Sequence, residues 1–568
     1  MMKCKTFLFT LLCFAPMAIA HGQAPAQNGD ASGGARRAPF HILYSNDSTN
    51  IESCVSPFHK KGEAFRPEML EASVDEAAGA AVQMLQPGTG WVPWWKSKQY
   101  PADEHYRWFM EKTGLPIDSI GAYMMNGGDL VALFVKRCRQ RGIAPFVSLR
   151  MNDYHGNENN DFLVDILRGG KVPKGYEKFE PTHRSGQSRF ELEHPEYRIG
   201  PEPADYLKSA DRLAYIRDRQ KCGKLRAARV FNWAIPAVPE YQFGFVKEVC
   251  EGYDIEGLEL DFMRHSRFFR LEETPPAERL RIMTAFVSRV REVLDKTAKP
   301  GQHRWLCIRV PLRLASHEAI GIDLSKLVAA GVDMINLSCH YTTQQQSDLA
   351  EVCRRFPRTA VYLELTYTTD TDPSRADRKM TDEQFYTAAH LAYARGAAGV
   401  SFFNFVYYRQ LSSAPCEPPF HILKRVGDRE WVARQPQHYF LSAGNLSPPA
   451  PNPSFPQKTL DPKRPAELLM DMAPPAGGWT TDGCLRIQTR EPMGDAQFRV
   501  ALNDIELQPT ADISEPYPSP YPDGLGTPET LRAWIVPRGL LKDGMNRIRI
   551  ELAKSKLVRL RFVDLAVR

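Results

Sequence analysis

The sequence predicts a (β/α)8 TIM barrel followed by a small all-β sandwich domain. Two patterns in its 568 residues lead to this prediction. From residue 39 to residue 444, short apolar runs alternate with longer amphipathic stretches, which is typical of βα units and a parallel sheet. After a proline-rich stretch, short segments separated by Gly, Asn and Asp turns favour a β-sandwich.

The first region contains enough apolar runs for a complete barrel. The eight predicted strands are Phe40–Tyr44, Ala80–Leu85, Ala144–Leu149, Gly257–Phe262, Trp305–Val310, Met334–Ser338, Ala360–Leu365 and Gly399–Phe403. Predicted helices between them include Asp129–Arg141, Pro239–Tyr253, Pro276–Lys296 and Thr381–Arg395. A doubly wound open sheet is the rival fold, but it would normally carry a glycine-rich phosphate turn after its first strand. Here Ser45, Asn46 and Asp47 stand at that point, so the barrel is favoured.

The ends of the chain divide into segments of different composition. Lys3 and Lys5 precede an apolar run that finishes in Ala18-Ile19-Ala20, the pattern of a signal peptide cleaved near Ala20. We therefore expect a secreted or periplasmic protein. The predicted divisions are a signal peptide over 1–20, a flexible leader over 21–38, the barrel over 39–444, a proline-rich linker over 445–465 and the sandwich over 466–568.

Composition narrows the classes of partner. The net charge of +6 is small for this length and no basic block is interleaved with aromatic residues, so nucleic acid is not an indicated partner. No second apolar stretch suggests a membrane span. The cysteines are scattered without a CxxC pair, and the histidines form no HxxxH or HxH pattern. The sequence thus indicates no metal and no cofactor.

The fourth predicted strand carries two acidic residues at alternate positions. Side chains alternate along a strand, so Glu259 and Asp261 share one face while Leu258 and Leu260 share the other. The apolar face can pack on helices, which leaves both carboxylates pointing into the barrel. Because Asp261 is nearer the end of the strand, it is the predicted reactive group and Glu259 its deeper partner. The alternative is a structural salt-bridge network with Arg264.

The strand Gly257–Phe262, set among eight βα units, resembles divergent glycoside-hydrolase-like barrels of polysaccharide-degrading bacteria. The resemblance covers most of residues 39–440. Met263 stands where a chitinase would carry its catalytic Glu, so the chitinase mechanism is not supported. The C-terminal segments 498–504, 534–537 and 541–550 resemble galactose-binding-like sandwiches, which accompany many glycoside hydrolases.

The seventh strand supplies a second acid, Glu364, between Leu363 and Leu365. In the retaining glycosidase barrels the acid/base follows strand four and the nucleophile follows strand seven, so similarity to them implies Asp261 and Glu364 as the pair. In barrels of the α-galactosidase kind the Asp of strand four is the nucleophile, which would reverse the roles. The division between the two residues stays open, and a salt bridge inside the barrel is the alternative for Glu364.

Polar and aromatic residues follow nearly all the other strands, as expected for a pocket that holds a hydroxyl-rich ligand. The predicted substrate-binding residues are Asn46, Asp47, Trp91, Trp94, Arg150, Asn152, Asp153, His155, Arg264, His265, Arg309, His340, Tyr341, Asn404 and Tyr407. The three arginines extend this interpretation to an acidic or sulfated glycan, since guanidinium groups bind carboxylate or sulfate. Ion pairs to Asp153, Glu259 or Asp261 are their alternative role.

These observations predict a secreted glycoside hydrolase that cleaves an oligo- or polysaccharide with paired carboxylates. A catalytically inactive glycan-binding barrel is the rival function, and a polysaccharide lyase is the third. The sequence does not distinguish the sugar, the linkage, or retention from inversion.

Overall fold

The computed structural model describes residues 37–47, 50–53, 60, 62–178, 185–370, 377–410, 416–443, 452–554 and 557–567. The predicted signal peptide and almost all of the predicted leader lie outside these residues. No helix of the described residues is long and apolar enough to cross a membrane.

The predicted barrel is confirmed as a closed ring of eight parallel strands. The strands are β1 Ile42–Asn46, β2 Val82–Leu85, β3 Ala144–Arg150, β4 Gly257–Asp261, β5 Trp305–Pro311, β6 Met334–Ser338, β7 Ala360–Thr366 and β8 Gly399–Phe403. Each strand pairs with its neighbours in chain order, and β1 pairs with β8 to close the ring. Strand β1 begins two residues later than predicted because Phe40 packs edge-on against Phe146 and Trp305 at the bottom of the barrel.

Helices surround the ring. The main ones are α1 Pro67–Glu76, α2 Ala102–Thr113, α3 Ser119–Met125, α4 Leu130–Arg141, α5 Ala237–Gly252, α6 Pro276–Thr297, α7 Leu324–Ala329, α8 Leu349–Arg355 and α9 Asp382–Ala394. Their apolar faces and the outward side chains of the strands form one large core, which contains Leu258, Leu260 and Phe262 of the β4 segment. The predicted helix boundaries agree with these to within two residues.

The barrel interior changes character from bottom to top. The floor is apolar and includes Leu43, Val82, Phe146 and Met334. The next side chains along the inward faces are polar, among them Ser148 and Asn336, and the highest carry charge. Because βα loops gather at the C-terminal ends of the strands, this charged end is the open end of the barrel, where active sites of this fold lie.

The chain makes a long insertion between β3 and α5, over residues 151–232. Its helices are Asn160–Leu167, Arg189–Glu193, Ala204–Leu207, Arg212–Arg217 and Arg219–Arg229. Asn152 ties its two ends together, because the amide donates hydrogen bonds to the carbonyl oxygens of Phe231 at 3.0 Å and Arg267 at 2.5 Å. Arg229 is fully buried in the insertion and pairs with Glu202 at 2.7 Å.

The C-terminal region is built of antiparallel strands, as predicted. They are β9 Gln437–Ser442, β10 Thr459–Leu460, β11 Ala466–Met472, β12 Gly483–Thr489, β13 Gln497–Leu502, β14 Ile505–Glu506, β15 Gln508–Thr510, β16 Leu531–Val536, β17 Gly544–Lys554 and β18 Val558–Val567. The main sheets have the orders β9-β18-β12-β16-β15 and β11-β17-β13-β14. The sandwich sheet therefore takes in β9, which precedes the predicted linker. The domain boundaries themselves remain predictions.

A buried charged cluster lies where the sandwich meets the barrel. We call Arg378, His438, Arg486, Glu515 and Asp564 the interface cluster. Arg486 binds Asp564 through two hydrogen bonds of 3.0 and 2.6 Å and Glu515 at 2.9 Å. His438 contacts Asp564 at 2.9 Å, and Arg378 reaches Glu515 at 3.2 Å. Each charged group in this cluster thus has an opposite charge beside it.

Candidate active site at the barrel mouth

Arg309 lies between the two acids that were predicted to be the catalytic pair. Its Nε and Nη2 donate to the Glu364 carboxylate at 2.7 and 2.6 Å, while Nη1 donates to both Asp261 oxygens at 3.1 Å. The exposed fraction of these side chains is 1% or less. Asp261 and Glu364 therefore meet across one guanidinium, and each acts as a hydrogen-bond acceptor.

Further donors fix both carboxylates. Ser338 donates to Glu364 at 2.6 Å and Asn336 donates to it at 3.3 Å. Asp261 accepts the backbone N–H of Met263 at 2.8 Å. A carboxylate with this many donors has few lone pairs left to bond elsewhere. Glu364 thus forms a salt bridge inside the barrel with Arg309, and a catalytic role for Glu364 stays a prediction.

Glu259 points into the barrel beneath Asp261, as the alternation along β4 predicted. It accepts hydrogen bonds from Ser148 at 2.7 Å and Asn336 at 3.4 Å. Burial, together with the nearby charge of Asp261, raises the pKa of Glu259 to about 7. All three acids are buried, and Glu259 lies one inward position below Asp261 on β4, where it can tune the charge of the site.

A second ion pair stands at the ends of β1 and β3. Arg150 binds Asp47, donates to Gln86 at 2.6 Å and reaches Asp153 at 3.5 Å. Asn404 donates to Asp47 at 2.8 Å and accepts the Asp47 backbone N–H at 2.8 Å. Burial alone would raise the pKa of Asp47, but the charges of Arg150 and Arg264 and the hydrogen bond from Asn404 together outweigh it and hold that pKa well below its ordinary value.

Arg264 differs from Arg150 and Arg309 because its partners are neutral. Its guanidinium contacts the Tyr341 hydroxyl and Nε2 of His155, and it lies 3.2 Å from Nε2 of His340. Within the described residues no ion pair joins Arg264 to a carboxylate. Its side chain is half-buried at the rim. Burial alone would lower the pKa of Arg264, but nearby Tyr341, Asp47 and Asp153 together raise it, so these two carboxylates balance the cation without touching it.

The histidines around Arg264 are held in the neutral form. Burial, with the charge of Arg264, lowers the pKa of His155 to about 4 and those of His265 and His340 well below the ordinary value. His155 Nδ1 lies 2.5 Å from Asp153, and His265 Nδ1 accepts the backbone N–H of Tyr154 at 3.1 Å. The Asp153 contact orients His155 so that its Nε2 accepts from Arg264.

The backbone at this rim is bent in a way that L-residues rarely adopt. His265, His340 and Asn404 each follow a strand end with φ of 58°, 63° and 58°, and Trp91 has φ of 65°. Such left-handed backbone in non-glycine residues concentrates at functional sites, where surrounding contacts maintain it. The bends turn these side chains away from the line of the strand.

Some of the predicted binding residues lie elsewhere. Trp94 is fully buried and donates to the Tyr106 hydroxyl at 2.9 Å, and Asn152 uses its amide on the insertion. Asn46 is buried and accepts from Asn50 at 3.2 Å. Trp91 packs against Phe231 in an aromatic cluster beside the mouth. These four do not line the mouth, whereas Tyr407 does, with its hydroxyl 3.4 Å from Asp47.

Sequence reasoning missed the small polar residues of the interior. Ser148, Asn336 and Ser338 donate hydrogen bonds to Glu259 and Glu364, yet each is a common residue in a strand. The available signal was the alternation of side chains along β3 and β6. On β3 it places Ser148 on the same inward face as Arg150, and on β6 it places Asn336 and Ser338 together on one face. Within the described residues there is also no group of His, Cys, Asp or Glu side chains able to hold a metal ion.

Comparison with known proteins finds similarity to solved structures. No family model matches the sequence, and no curated protein does. Solved structures that are similar include α-L-fucosidase isoenzyme 2 from Paenibacillus thiaminolyticus, with 11% identity and a TM-score of 0.38 over 69% of this chain and 49% of that one. This chain thus spans about half the length of that fucosidase.

Two further similar structures are also glycoside hydrolases. A GH29 α-L-fucosidase from Bacteroides thetaiotaomicron shares 10% identity with a TM-score of 0.34, over 94% of this chain and 99% of that one. A GH18 chitinase from Flavobacterium johnsoniae shares 9% identity with a TM-score of 0.30, over 68% and 94%. At these values the similarities carry no information on the activity of this chain, which has to be inferred from its own site.

Proposed function

We propose that this protein is an exported enzyme that processes an acidic glycan at the mouth of its barrel. The observation that carries the proposal is the concentration of charge at the ends of the strands: Asp261, Arg309 and Glu364 in the barrel, with Arg264 half-buried outside them. A ring of buried charge is costly unless it is paired or used. The predicted signal peptide supports export.

Hydrolysis is the first form of this proposal. One carboxyl group donates a proton to the leaving glycosidic oxygen while the other attacks the anomeric carbon or activates water. Asp261 and Glu364 are the candidates, and Arg309 keeps them at a fixed spacing. Substrate must reach them through the rim, so this form requires the side chains of Arg264 and Tyr341 to move when glycan binds.

Acidic substrate is favoured by Arg264. A guanidinium binds a carboxylate or sulfate through paired hydrogen bonds, and the present partners of Arg264 are a phenol and two neutral imidazoles. An anion would give stronger, charge-assisted bonds than these partners do. A uronic acid or a sulfated sugar therefore complements this rim better than a neutral sugar.

A lyase is the second candidate, and a specific observation favours it. β-Elimination needs a cation on the uronate carboxylate, a base for the neighbouring C–H and an acid for the leaving oxygen. Arg264 can provide the cation, and neutral His155 and Tyr341 contact it directly. This form uses the rim alone and leaves the pair Asp261 and Glu364 as supports.

The product distinguishes these forms. The mature protein is incubated with neutral, uronate-containing and sulfated polysaccharides, and the products are separated by chromatography with ultraviolet detection. Hydrolysis gives new reducing ends without ultraviolet absorbance, whereas elimination gives unsaturated, absorbing ends. Saturable binding without product would identify a non-catalytic glycan-binding barrel. Absence of both product and binding across the panel would contradict the proposal.

Variants then assign the residues. Glu364→Gln and Asp261→Asn should abolish hydrolysis, and His155→Gln and Tyr341→Phe should abolish elimination. Tyr439→Phe is the matched control for Tyr341→Phe, since Tyr439 is a buried tyrosine of the sandwich whose hydroxyl donates to the Ala473 carbonyl oxygen at 2.7 Å. Equal losses in Tyr341→Phe and Tyr439→Phe would show that the effect is structural.

A further inference from the structure

The insertion between β3 and α5 carries a concentration of positive charge outside the mouth. Residues 165–178 and 208–229 contain twelve Lys and Arg against four Asp and Glu, a net charge of +8, although the whole chain carries only +6. The remainder of the chain is therefore slightly negative. The excess positive charge of the protein thus resides in two short segments of one insertion.

These two segments fold around one small apolar core, separate from the core of the barrel. The buried side chains of this core are those of Phe162, Ile166, Tyr176, Tyr206, Tyr215, Ile216, Cys222 and Leu225. The Arg217 guanidinium lies against the backbone of Gly175, since a β-carbon added to that glycine would be 2.8 Å from Arg217 Nη2. We call this unit, residues 160–178 and 204–229, the basic lobe.

Many of the cations of the basic lobe are exposed and have no carboxylate beside them. Arg212, Lys221 and Arg226 do form ion pairs with acids of the insertion. Within the described residues, however, no ion pair engages six further cations, all exposed, which are Arg168, Lys171, Lys174, Lys208, Arg217 and Lys224.

The acids of the basic lobe are occupied by the fold of the lobe itself. Asp211 and Asp218 each accept a backbone N–H in the first turn of the helix that follows, at 2.9 and 3.0 Å, so they cap these helices. Asp205 accepts the hydroxyl of Tyr215 at 3.0 Å. The exposed cations therefore remain available to an anion from outside the protein.

The basic lobe is attached directly to the rim of the barrel mouth. Arg226 Nε donates to Glu158 at 3.0 Å, and the Asn157 amide donates to the Arg226 carbonyl oxygen at 3.3 Å. Asn157 and Glu158 closely follow His155, which contacts Arg264 at the rim. Lys224 precedes Arg226 by less than one helical turn, so the exposed cations begin close to the mouth.

We propose that the basic lobe binds a strand of anionic polysaccharide whose chain continues from the mouth. Single exposed charge contacts are weak, but repeated carboxylate or sulfate groups along a polymer engage several cations at once. The continuity of the lobe with the mouth favours a polysaccharide over an anionic membrane, which would contact the lobe alone. That the strand is a substrate rests on the proposed function, whereas binding of the polyanion at the lobe is tested without catalysis.

The test measures binding of the full mature protein to polygalacturonate, dextran sulfate and neutral dextran by isothermal titration calorimetry at low ionic strength. The wild type should bind at least one charged polymer and should not bind dextran. The triple variant Lys171→Glu, Lys174→Glu, Lys224→Glu should weaken the dissociation constant about 10–100-fold, the loss of three exposed charge contacts. The difference should vanish near 1 M salt, where the Debye length is about 3 Å. Preference between the two charged polymers tells carboxylate from sulfate.

The barrel helices offer a matched control of equal charge. Lys136 of α4, Lys247 of α5 and Lys326 of α7 are exposed as well, and they lie outside the basic lobe. The triple variant Lys136→Glu, Lys247→Glu, Lys326→Glu changes the formal charge by the same amount, yet it should bind the polymers within a factor of two of the wild type. Because all six lysines are exposed, neither triple variant should lower the thermal midpoint appreciably.

Three results would overturn the inference. The first is no binding of either charged polymer, and the second is equal weakening in the lobe variant and the control variant, which would mean attraction by net charge alone. The third is tighter binding of phosphatidylglycerol vesicles than of both charged polymers, which would make a membrane the partner. If the polymers bind through the lobe while the glycan panel gives no product, the proposed enzymatic function fails and the lobe stands. Product formation with unchanged polymer binding in the lobe variant would be the reverse outcome.

Discussion

The barrel mouth and the interface cluster both bury arginines and acids, but they use them differently. In the interface cluster Arg486 binds Asp564 and Glu515, and Asp564 also receives His438. At the mouth Arg309 is equally well paired, yet the direct contacts of the Arg264 guanidinium are with neutral groups. The interface cluster thus pairs its arginines with carboxylates by direct contact, whereas Arg264 has its nearest carboxylates, Asp47 and Asp153, at longer range.

The two networks also differ in backbone and in neighbouring space. The mouth has left-handed backbone at His265, His340 and Asn404, and a small cavity adjoins it at the ends of β2 and β3. The interface cluster lies on regular strands such as β12 and β18. Buried charge by itself is therefore not a sign of function. What separates the mouth is buried charge together with a guanidinium that no carboxylate contacts directly and with left-handed backbone.

The largest expected effect is a loss of turnover on substitution of an acid at the barrel mouth, with no such loss for an acid of the interface cluster. Glu364→Gln should lower turnover of the substrate found in the panel by about 10²–10⁴-fold if hydrolysis is correct. Asp564→Asn, its matched buried acid, should leave turnover unchanged. Steady-state kinetics on both purified variants measures this. Full activity in Glu364→Gln would remove Glu364 from the catalytic machinery.

Both Glu364→Gln and Asp564→Asn should be less stable than the wild type, and this shared loss is the control for the activity measurement. Removing one partner of a buried ion pair costs about 3–5 kcal/mol, since the remaining charge is left uncompensated. Both Glu364→Gln and Asp564→Asn should therefore lower the thermal midpoint. If Asp564→Asn also lost turnover, and lost it in proportion to the fall of its thermal midpoint, then the inactivity of Glu364→Gln would be a folding effect. In that case activity would not distinguish the mouth from the interface cluster.

Arg264 should show a smaller, substrate-dependent effect. Arg264→Gln removes the cation but keeps a donor, so KM for an acidic glycan should rise about 10–100-fold, the loss of one charge-assisted contact. Binding of a neutral glycan from the panel should not change. Arg378→Gln in the interface cluster is the matched control, which should lower the thermal midpoint and leave KM as it was. A rise in KM that is equal for acidic and neutral glycans would contradict the anion-binding role.

The sequence predicted the barrel because its strands alternate with capped helices, and all eight barrel strands begin within two residues of the predicted positions. Alternation along β4 also placed Glu259 and Asp261 inside. It could not show that Arg309 joins Asp261 to Glu364, because that contact joins three strands that are distant in the chain. The positions of the loop tryptophans at residues 91 and 94 could not be predicted for a similar reason. A loop tryptophan such as Trp94 gives the same sequence pattern whether its ring faces a ligand or the core.

The smallest expected effect is on the pH dependence of the thermal midpoint. It compares Glu259, a buried acid of the barrel, with Asp564, a buried acid of the interface cluster. The pKa of Glu259 is raised from 4.5 to about 7, mainly by burial, so the folded protein holds this proton more tightly than the unfolded chain. Its contribution to the free energy of unfolding is full below pH 4.5 and falls by about 3 kcal/mol as pH rises to 7. Glu259→Gln keeps the shape and removes this dependence, so the thermal midpoint of the variant should decline less than that of the wild type between pH 5 and pH 8. Asp564 has the opposite sign, because the contacts with Arg486 and His438 together outweigh burial and lower its pKa. The contribution of the Asp564 carboxylate is therefore lost only as pH falls below the unfolded value, and Asp564→Asn should not remove the decline between pH 5 and pH 8. Equal slopes for wild type and Glu259→Gln would show that Glu259 is ionised throughout this range.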